Sequence, residues 1–574
     1  MTEPDYNLLD EGWIPVLLKD GSVERLGICD VFLRANDIAD LACELPTQNM
    51  AIQRVLEAIC YRVVSLEDKD DWKELWRQGL PTDEILAYLE HWRDRFYLFG
   101  GRHPFMQGPD LHTPKGTVSG LETLISDFPN RKPFFTVRHG RAIDCISPDE
   151  AAIWVIHGQA YDVSGTHSGL ADDKLMKNGK GYGIGVSWCG QIGAVWLLGA
   201  SLEETLMLNL VPADSGHLQG PAPGSPEAAC TWESSEIETG VRRDYSHKGN
   251  PDPNGIGIPR LLTWHSRRIR LAGNRRGVTG VVLAQGDKLG PQQMQRFEPM
   301  SLWRYSMHQS KKKEYGKDVY MPAKHEPGRA FWRNLPAVLP HVELIEGFDK
   351  QKHPKFLQSA TLLFHAGLDS SDLDDYPVKF TIEAVGMTYG SNESVVADLY
   401  HDRLTVAVAL LEDRREDLAY LANAQIRAIE KAANALEGLG ANLVRAAGGR
   451  EKAAGEPGKG PVEGAQDRAR ERFFAEIDDP FRAWLAGLNE DSRVDAEREA
   501  WSKQARGIAL RVADELIDAA PTSAIKGREI PNSVIKRREA KKCYMSTGIA
   551  ENYFREKLNE ALPLPETSQN GEKK

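Results

Sequence analysis

Apolar spacing divides this chain into two kinds of territory. From Asn49 to Val64, apolar residues recur at helical intervals (Ile52, Val55, Leu56, Ile59, Val63), which predicts an amphipathic helix. A second helix is predicted over residues 83–93. Ahead of them, Asn7–Val16 reads as a short apolar strand-like start closed by Pro15, and Lys19-Asp20-Gly21-Ser22 is a hairpin-type turn signal. Between residues 100 and 250, glycine and proline recur every few positions. The run Ala194-Val195-Trp196-Leu197-Leu198 reads as a buried strand, and Pro221–Pro226 as a surface loop. After Ser394 the character changes. Proline and glycine almost vanish up to Ala447, and Leu410, Leu411, Leu418, Leu421, Ile429, Leu436 and Leu443 follow a helical repeat, predicting one long helix or two with a break. Three more helical patterns follow, carrying Phe473, Phe474, Ile477, Phe481, Trp484, Leu485 and Leu488; then Trp501, Ile508, Val512, Leu516 and Ile517; then Tyr544, Tyr553, Phe554 and Leu558. The predicted fold class is α+β: a loop-rich mixed α/β domain over residues 1–393, a C-terminal four-helix bundle over 394–565 with a flexible loop near 448–464, and a disordered tail over 566–574. There is no repeat of fixed period.

Composition narrows the function classes. At roughly 100–200 residues per domain, 574 residues allow two to four domains. No apolar run approaches membrane-spanning length, and the acidic start Met1–Asp10 lacks a signal peptide's basic and apolar segments, so no membrane is expected and the expected location is the cytoplasm. Cys29, Cys43, Cys60, Cys145, Cys189, Cys230 and Cys543 stand singly, without a Cys-x-x-Cys pair, and are expected as reduced thiols.

Catalytic motifs are weak. Gly179, Gly181, Gly183 and Gly185 alternate with the wrong spacing for a dinucleotide site, and Lys180 is not followed by Ser or Thr as in a P-loop, so a tight backbone turn is the better reading. His325-Glu326 lacks a second histidine, and there is no Gly-x-Ser-x-Gly elbow. His401-Asp402 is the one pair with the look of a metal-dependent nuclease or phosphohydrolase; it is placed inside the long helix with no further ligands nearby. No cofactor and no metal are expected.

Charge is distributed unevenly. The net charge of −12 argues against general coating of nucleic acid, yet cations cluster. Arg242, Arg243, Lys248, Arg260, Arg267, Arg268, Arg270, Arg275 and Arg276 crowd one stretch with Tyr245 and Trp264 among them. Others run from Arg304 through Lys311, Lys312, Lys313, Lys317, Lys324, Arg329 and Arg333, and from Lys526 through Arg528, Lys536, Arg537, Arg538, Lys541 and Lys542. Such segments point to phosphate contacts, with solvated faces and internal ion pairs as the alternative.

Several motifs together carry a resemblance: Asn7-Leu-Leu-Asp-Glu-Gly-Trp-Ile-Pro-Val16, Phe96-Tyr-Leu, His103-Pro-Phe-Met-Gln107, Gln159-Ala-Tyr-Asp-Val-Ser-Gly165, the glycine run, and Glu204-Thr-Leu-Met-Leu-Asn-Leu210. Over nearly its whole length the chain resembles the CasA (Cse) family, large subunits of the type I-E CRISPR surveillance complex Cascade. The resemblance implies a non-catalytic subunit that reads the short protospacer-adjacent motif in double-stranded target DNA from the minor groove, starts strand separation and recruits the CRISPR helicase–nuclease. Its implied partners are crRNA, target DNA, the other Cascade subunits and that helicase–nuclease.

Roles follow residue by residue. The family's glycine loop falls on Asp162, Val163, Ser164 and Gly165, of which only Gly165 is glycine. Lys288, between Gly286 and Gly290, is the candidate for the family's lysine finger, at a loop tip. The strand-splitting wedge falls on Tyr389–Glu393, with Asn392 matching and Glu393 replacing a frequent glutamine. Arg267, Arg268, Arg270, Arg275 and Arg276 are expected on the DNA backbone. Phe134, Phe135, Arg138 and His139 correspond to the segment that meets the 5′ end of the crRNA and a neighbouring subunit. The four-cysteine zinc site of some relatives is reduced here to the scattered Cys145 and Cys230, so zinc is not expected. The competing readings are a metal-dependent nuclease built on His401-Asp402 and a structural scaffold for RNA or protein.

Overall fold

The computed structural model describes residues 3–128, 136, 144–220, 228–245, 256–312, 317–339, 343–369, 371, 373–452, 458–531 and 542–563. It divides into two compact units, Met1–Leu404 and Thr405–Lys574.

The first unit begins with an antiparallel sheet of β1 (Ile14–Leu18) between β2 (Val23–Leu26) and β3 (Ile38–Leu41), turning at residues 19–22 as expected. Helix α1 (Pro46–Val63) starts with proline in its first turn and is buried nearly all round, as a central core helix must be. Among its buried side chains are two charged ones, Arg54 and Glu57. Arg54 makes a bidentate pair with Glu298 (2.8 and 2.9 Å), and Trp188 donates to the same carboxylate at 2.6 Å. Glu57 has no partner on either oxygen; burial pushes its pKa well above the carboxylate range, so it sits there neutral.

Helix α2 (Pro148–Tyr161) is likewise enclosed. It stops at Asp162, whose backbone turns extended and launches the 162–165 segment. Strand β4 (Ala194–Leu198) matches the predicted buried run. Strands β5 (Arg267–Asn274) and β6 (Gly277–Gln285) form a hairpin with Arg267 opposite Gln285. Strand β7 (Lys379–Tyr389) lies between β4 and β8 (Val396–Ala407).

Strand β8 corrects the sequence reading. The long helix expected from Ser394 begins only at Glu416, and Leu410 and Leu411 precede it. Lack of proline and glycine permits a strand as readily as a helix. The deciding signal is alternation: Tyr400, Leu404 and Val406 are buried, with exposed His401 and Arg403 between them. The division between units falls at Leu404/Thr405, inside β8 rather than at 393/394.

Among its described residues the second unit holds four long helices. Helix α3 (Glu416–Ala447) buries the predicted Leu418, Leu421, Ile429, Leu436 and Leu443 and packs against α4 (Pro461–Gly487), α5 (Val494–Asp518) and α6 (Thr547–Ala561). Phe481 of α4 meets Trp501 of α5 edge-on at 5.2 Å. Tyr544, expected on the last helix, lies on a strand, Lys542–Met545, paired with Arg528–Pro531. Arg528 donates to the last carbonyls of α3 at Ala446 and Ala447 (3.2 and 2.9 Å), so this member of the third basic cluster caps a helix. The tail 566–574 and much of the 448–464 loop lie outside the described residues.

Candidate nucleic-acid interface

Four segments distant in sequence meet at the C-terminal end of α2. The carboxylate of Asp162, buried, accepts from His167 Nε2 at 2.8 Å and from Arg267 Nε. Burial opposes the charge of Asp162, but His167 and Arg267 outweigh it and hold its pKa down at about 2. Arg267, with no exposed surface, also donates to the carbonyls of Val163 (2.7 Å) and Gly185 (3.0 Å). Its own backbone is held at both ends by the Gln159 side chain (2.9 and 3.0 Å). The arginine thus clamps the 162–165 segment to the glycine run.

The glycine run has a steric purpose. A Cβ on Gly183 would fall 2.1 Å from the carbonyl oxygen of Ser164, so only hydrogen fits beneath that turn. Gln285 Nε2 donates to the Gly165 carbonyl at 2.8 Å. Gly165 itself is loosely surrounded, with the nearest atom to a built Cβ at 3.5 Å.

The second tip is the 390–394 turn between β7 and β8. Gly390 and Val395 close it by a 2.8 Å backbone bond. Within it, Asn392 (φ 55°) and Glu393 (φ 52°) are consecutive left-handed residues, and both are exposed. Each left-handed non-glycine residue costs of order 1–3 kcal/mol, more readily borne by asparagine than by glutamate. The two tips are joined: the Ser164 N–H donates to the Glu393 carbonyl at 2.8 Å. Tyr389, at the root of the second turn, donates to the Tyr161 carbonyl at the root of the first (2.7 Å). Tyr389 and Glu393 also line a cavity of about 310 Å³ with Thr388 and Lys324. Asp162–Gly165 and Asn392–Glu393, matched by resemblance alone, therefore form one continuous feature.

The arginines do not join it as expected. Arg267 is the buried clamp. Arg268, 4% exposed, pairs with Glu238 (3.0 Å) and Asp287 (2.7 Å). Arg270 donates to the Leu111 carbonyl at 2.6 Å, and Arg275 pairs with Glu11 and Asp5. Arg276 is exposed. The expectation of a guanidinium row on DNA is corrected for Arg267 and Arg268, whose donors are consumed internally. For Arg267 alternation could have revealed this, because it shares a strand face with the buried Ile269 and Leu271; Arg268 lies on the other face and is buried as well.

Lys288 is not a free loop tip. Its N–H and carbonyl bond Arg243 and Tyr245 (2.9 Å each) in a parallel bridge, and its ammonium rests 3.4 Å from Asp244. It lines a small depression with Ile184 of the glycine run, near the clamp. Phe134, Phe135, Arg138 and His139 lie outside the described residues.

His401 and Asp402, consecutive on β8, point apart. His401 bonds Glu383 at 2.6 Å, whereas Asp402 accepts from the Phe331 N–H at 2.6 Å, so the pair does not converge on one ion. Among the described residues, Asp318, Asp349 and His353 are the group close enough to share a cation, but Tyr305 and the Phe348 N–H already bond Asp318 (2.6 and 2.7 Å).

The motif residues quoted for the resemblance hold the scaffold. Gln107 donates to the Leu98 carbonyl (2.9 Å) and accepts from Leu271 N–H (2.9 Å), while Phe105 stacks on Phe96 at 5.2 Å. A family model described as CRISPR-associated protein Cse1 matches residues 7–512. The chain belongs to the Cse1 family. A CasA/Cse1 protein of Thermus thermophilus is 27% identical over 535 residues, covering 88% of this chain and 91% of its own. The crystal structure of Thermobifida fusca Cse1 superposes with a TM-score of 0.84 at 34% identity, covering 97% of this chain and 98% of that one. A chain of a CRISPR RNA-guided surveillance complex shares the fold, with a TM-score of 0.63 at 17% identity, covering 97% of this chain and all of that one. Among the described residues, no helix of this Cse1-family chain is long and apolar enough to cross a membrane.

Proposed function

We propose that this Cse1-family chain is the large subunit of a crRNA-guided Cascade complex, binding rather than cutting, and that its paired tips read the protospacer-adjacent motif of duplex DNA from the minor groove. The observation that carries this reading is the backbone bond from Ser164 to Glu393, which joins the half-buried 162–165 turn to the exposed 390–394 turn as one edge. Small side chains at Ser164 and Gly165 let backbone groups approach base edges. The minor-groove pattern is degenerate, so tolerance of several motifs is expected. Asn392 supplies an amide beside them, and the left-handed turn holds it out toward solvent. Insertion of the 392–393 turn unstacks the first base step, at a cost of a few kcal/mol that protein contacts and the RNA–DNA heteroduplex offset. The subunit would then hold the opened duplex for the CRISPR helicase–nuclease.

The test is a complex reconstituted with crRNA and the other subunits. Asn392→Ala and Gly165→Val should each lower R-loop formation, read by permanganate reactivity of the first protospacer thymines, while leaving thermal unfolding of the subunit unchanged. Wild-type R-loop yields in both variants would refute the assignment.

A further inference from the structure

A cleft of about 590 Å³ lies apart from the paired tips, walled by the 95–107, 229–243 and 260–268 segments. Its volume falls within the roughly 300–1,000 Å³ typical of small-molecule sites. Its carboxylates are already engaged. Glu233 binds Arg62 (2.8 Å) and Tyr88 (2.8 Å), Glu236 binds Arg243 (2.6 Å), and Asp287 takes Arg268 (2.7 Å) and the Arg243 N–H (2.9 Å). Two guanidiniums in the same wall, Arg95 and Arg260, have no ion pair among the described residues. Arg95 Nη1 is fully buried with no hydrogen-bond partner, and the group stands over Trp92 at 5.7 Å, beside Arg102 and His103. A buried donor left unmet costs about 1–3 kcal/mol, and more when charged. Two further buried atoms, on residues that line the cleft, are also unmet: Glu238 Oε2, whose Oε1 is taken by Arg268 and His265, and His265 Nε2.

This combination is selective. Guanidiniums without an ion pair ask for a planar or tetrahedral anion. An orphan carboxylate oxygen asks for a donor, and a carboxylate accepting from ribose hydroxyls is a recurring way to hold a nucleotide sugar. We infer that this cleft binds a ribonucleoside phosphate, with Arg95 and Arg260 on the phosphate and Glu238 Oε2 on a ribose hydroxyl. The same chemistry is offered by a free nucleotide and by a nucleotide within an RNA strand.

The purified full chain would be titrated calorimetrically with AMP, 2′-deoxy-AMP, adenosine and the hexamer r(A)6. Saturable binding of AMP is expected, at least fivefold weaker for 2′-deoxy-AMP and at least tenfold weaker for adenosine. Arg95→Gln and Arg260→Gln should each weaken it at least fivefold at unchanged melting temperature. Tight r(A)6 binding with weak AMP binding would identify an RNA strand as the source, and the reverse a free nucleotide; either supports the inference. It is overturned if neither ligand saturates, if adenosine or 2′-deoxy-AMP binds as well as AMP, or if both substitutions are silent. Should either variant fail to fold, Arg260→Lys and Arg95→Lys replace them, with the same expected loss of bidentate phosphate contact.

Discussion

The tips at Ser164–Gly165 and Asn392–Glu393 contrast with the arginine strand at Arg267–Asn274. The strand carries the charge that nucleic-acid binding calls for, but its first two arginines are inside the protein, spent on Asp162, Glu238, Asp287 and backbone carbonyls. The tips carry almost no positive charge, but they are joined, one of them half-buried and the other exposed and left-handed. Density of cations along a sequence therefore does not mark a binding surface by itself. Here the charge builds the frame, and the frame fixes the geometry of a nearly neutral edge.

The contrast can be broken most forcefully at the frame. Arg267→Met leaves Asp162 buried and loosely paired, and removing one partner of a buried pair costs about 3–5 kcal/mol; urea denaturation should show that loss. An Arg267→Met protein as stable as the wild type would mean the clamp is incidental. Acid should act on the same frame. The folded-state pKa of Asp162 lies at about 2, below its ordinary 3.8, so its stabilising contribution is complete above about pH 4 and disappears as pH falls toward 2. The size is about 2 kcal/mol, and Asp162→Asn should remove that part of the acid dependence.

At the tips the expected sign is reversed, with function lost and stability kept. Asn392→Ala should reduce R-loop formation in the assembled complex about tenfold, equivalent to about 1.4 kcal/mol. Glu393→Gly relieves a left-handed glutamate and should change unfolding free energy by no more than about 1 kcal/mol. The smallest effect is expected at the hairpin end. Arg275→Ala breaks half-exposed pairs worth less than about 1 kcal/mol. Arg276→Ala leaves stability untouched; if that exposed cation meets a phosphate, the salt dependence of duplex binding should flatten by about one unit in the log–log slope.

Periodicity made the helices legible. The repeat at Ile52, Val55, Leu56 and Ile59 and those through Leu418–Leu443 and Trp501–Val512 fall on buried helix faces. It failed at 396–407, where a strand pattern was absorbed into the following helix because neither contains a breaker. Of the candidate site, the tip residues are named through motif resemblance, but their contact is not legible, since nothing local in Ser164 announces Glu393. The roles of Gln159, Gln285 and Gly183 were hidden for the same reason: each acts on a backbone atom supplied by another segment. The flanking glycines of Lys288 suggest a loop tip, whereas Gly286 packs so closely that a Cβ there would fall 2.6 Å from backbone atoms of His265 and Arg267.

Arg267 holds the first tip through the carbonyl oxygens of Val163 and Gly185, atoms every amino acid possesses. The grip is thus blind to what side chain stands at 163, whereas Gly185, at φ 113°, is held to glycine by its own backbone. An experimenter can therefore vary residues 163–165 to test the proposed motif reading without disturbing the mount beneath, provided Arg267, Asp162, Gly183 and Gly185 stay as they are.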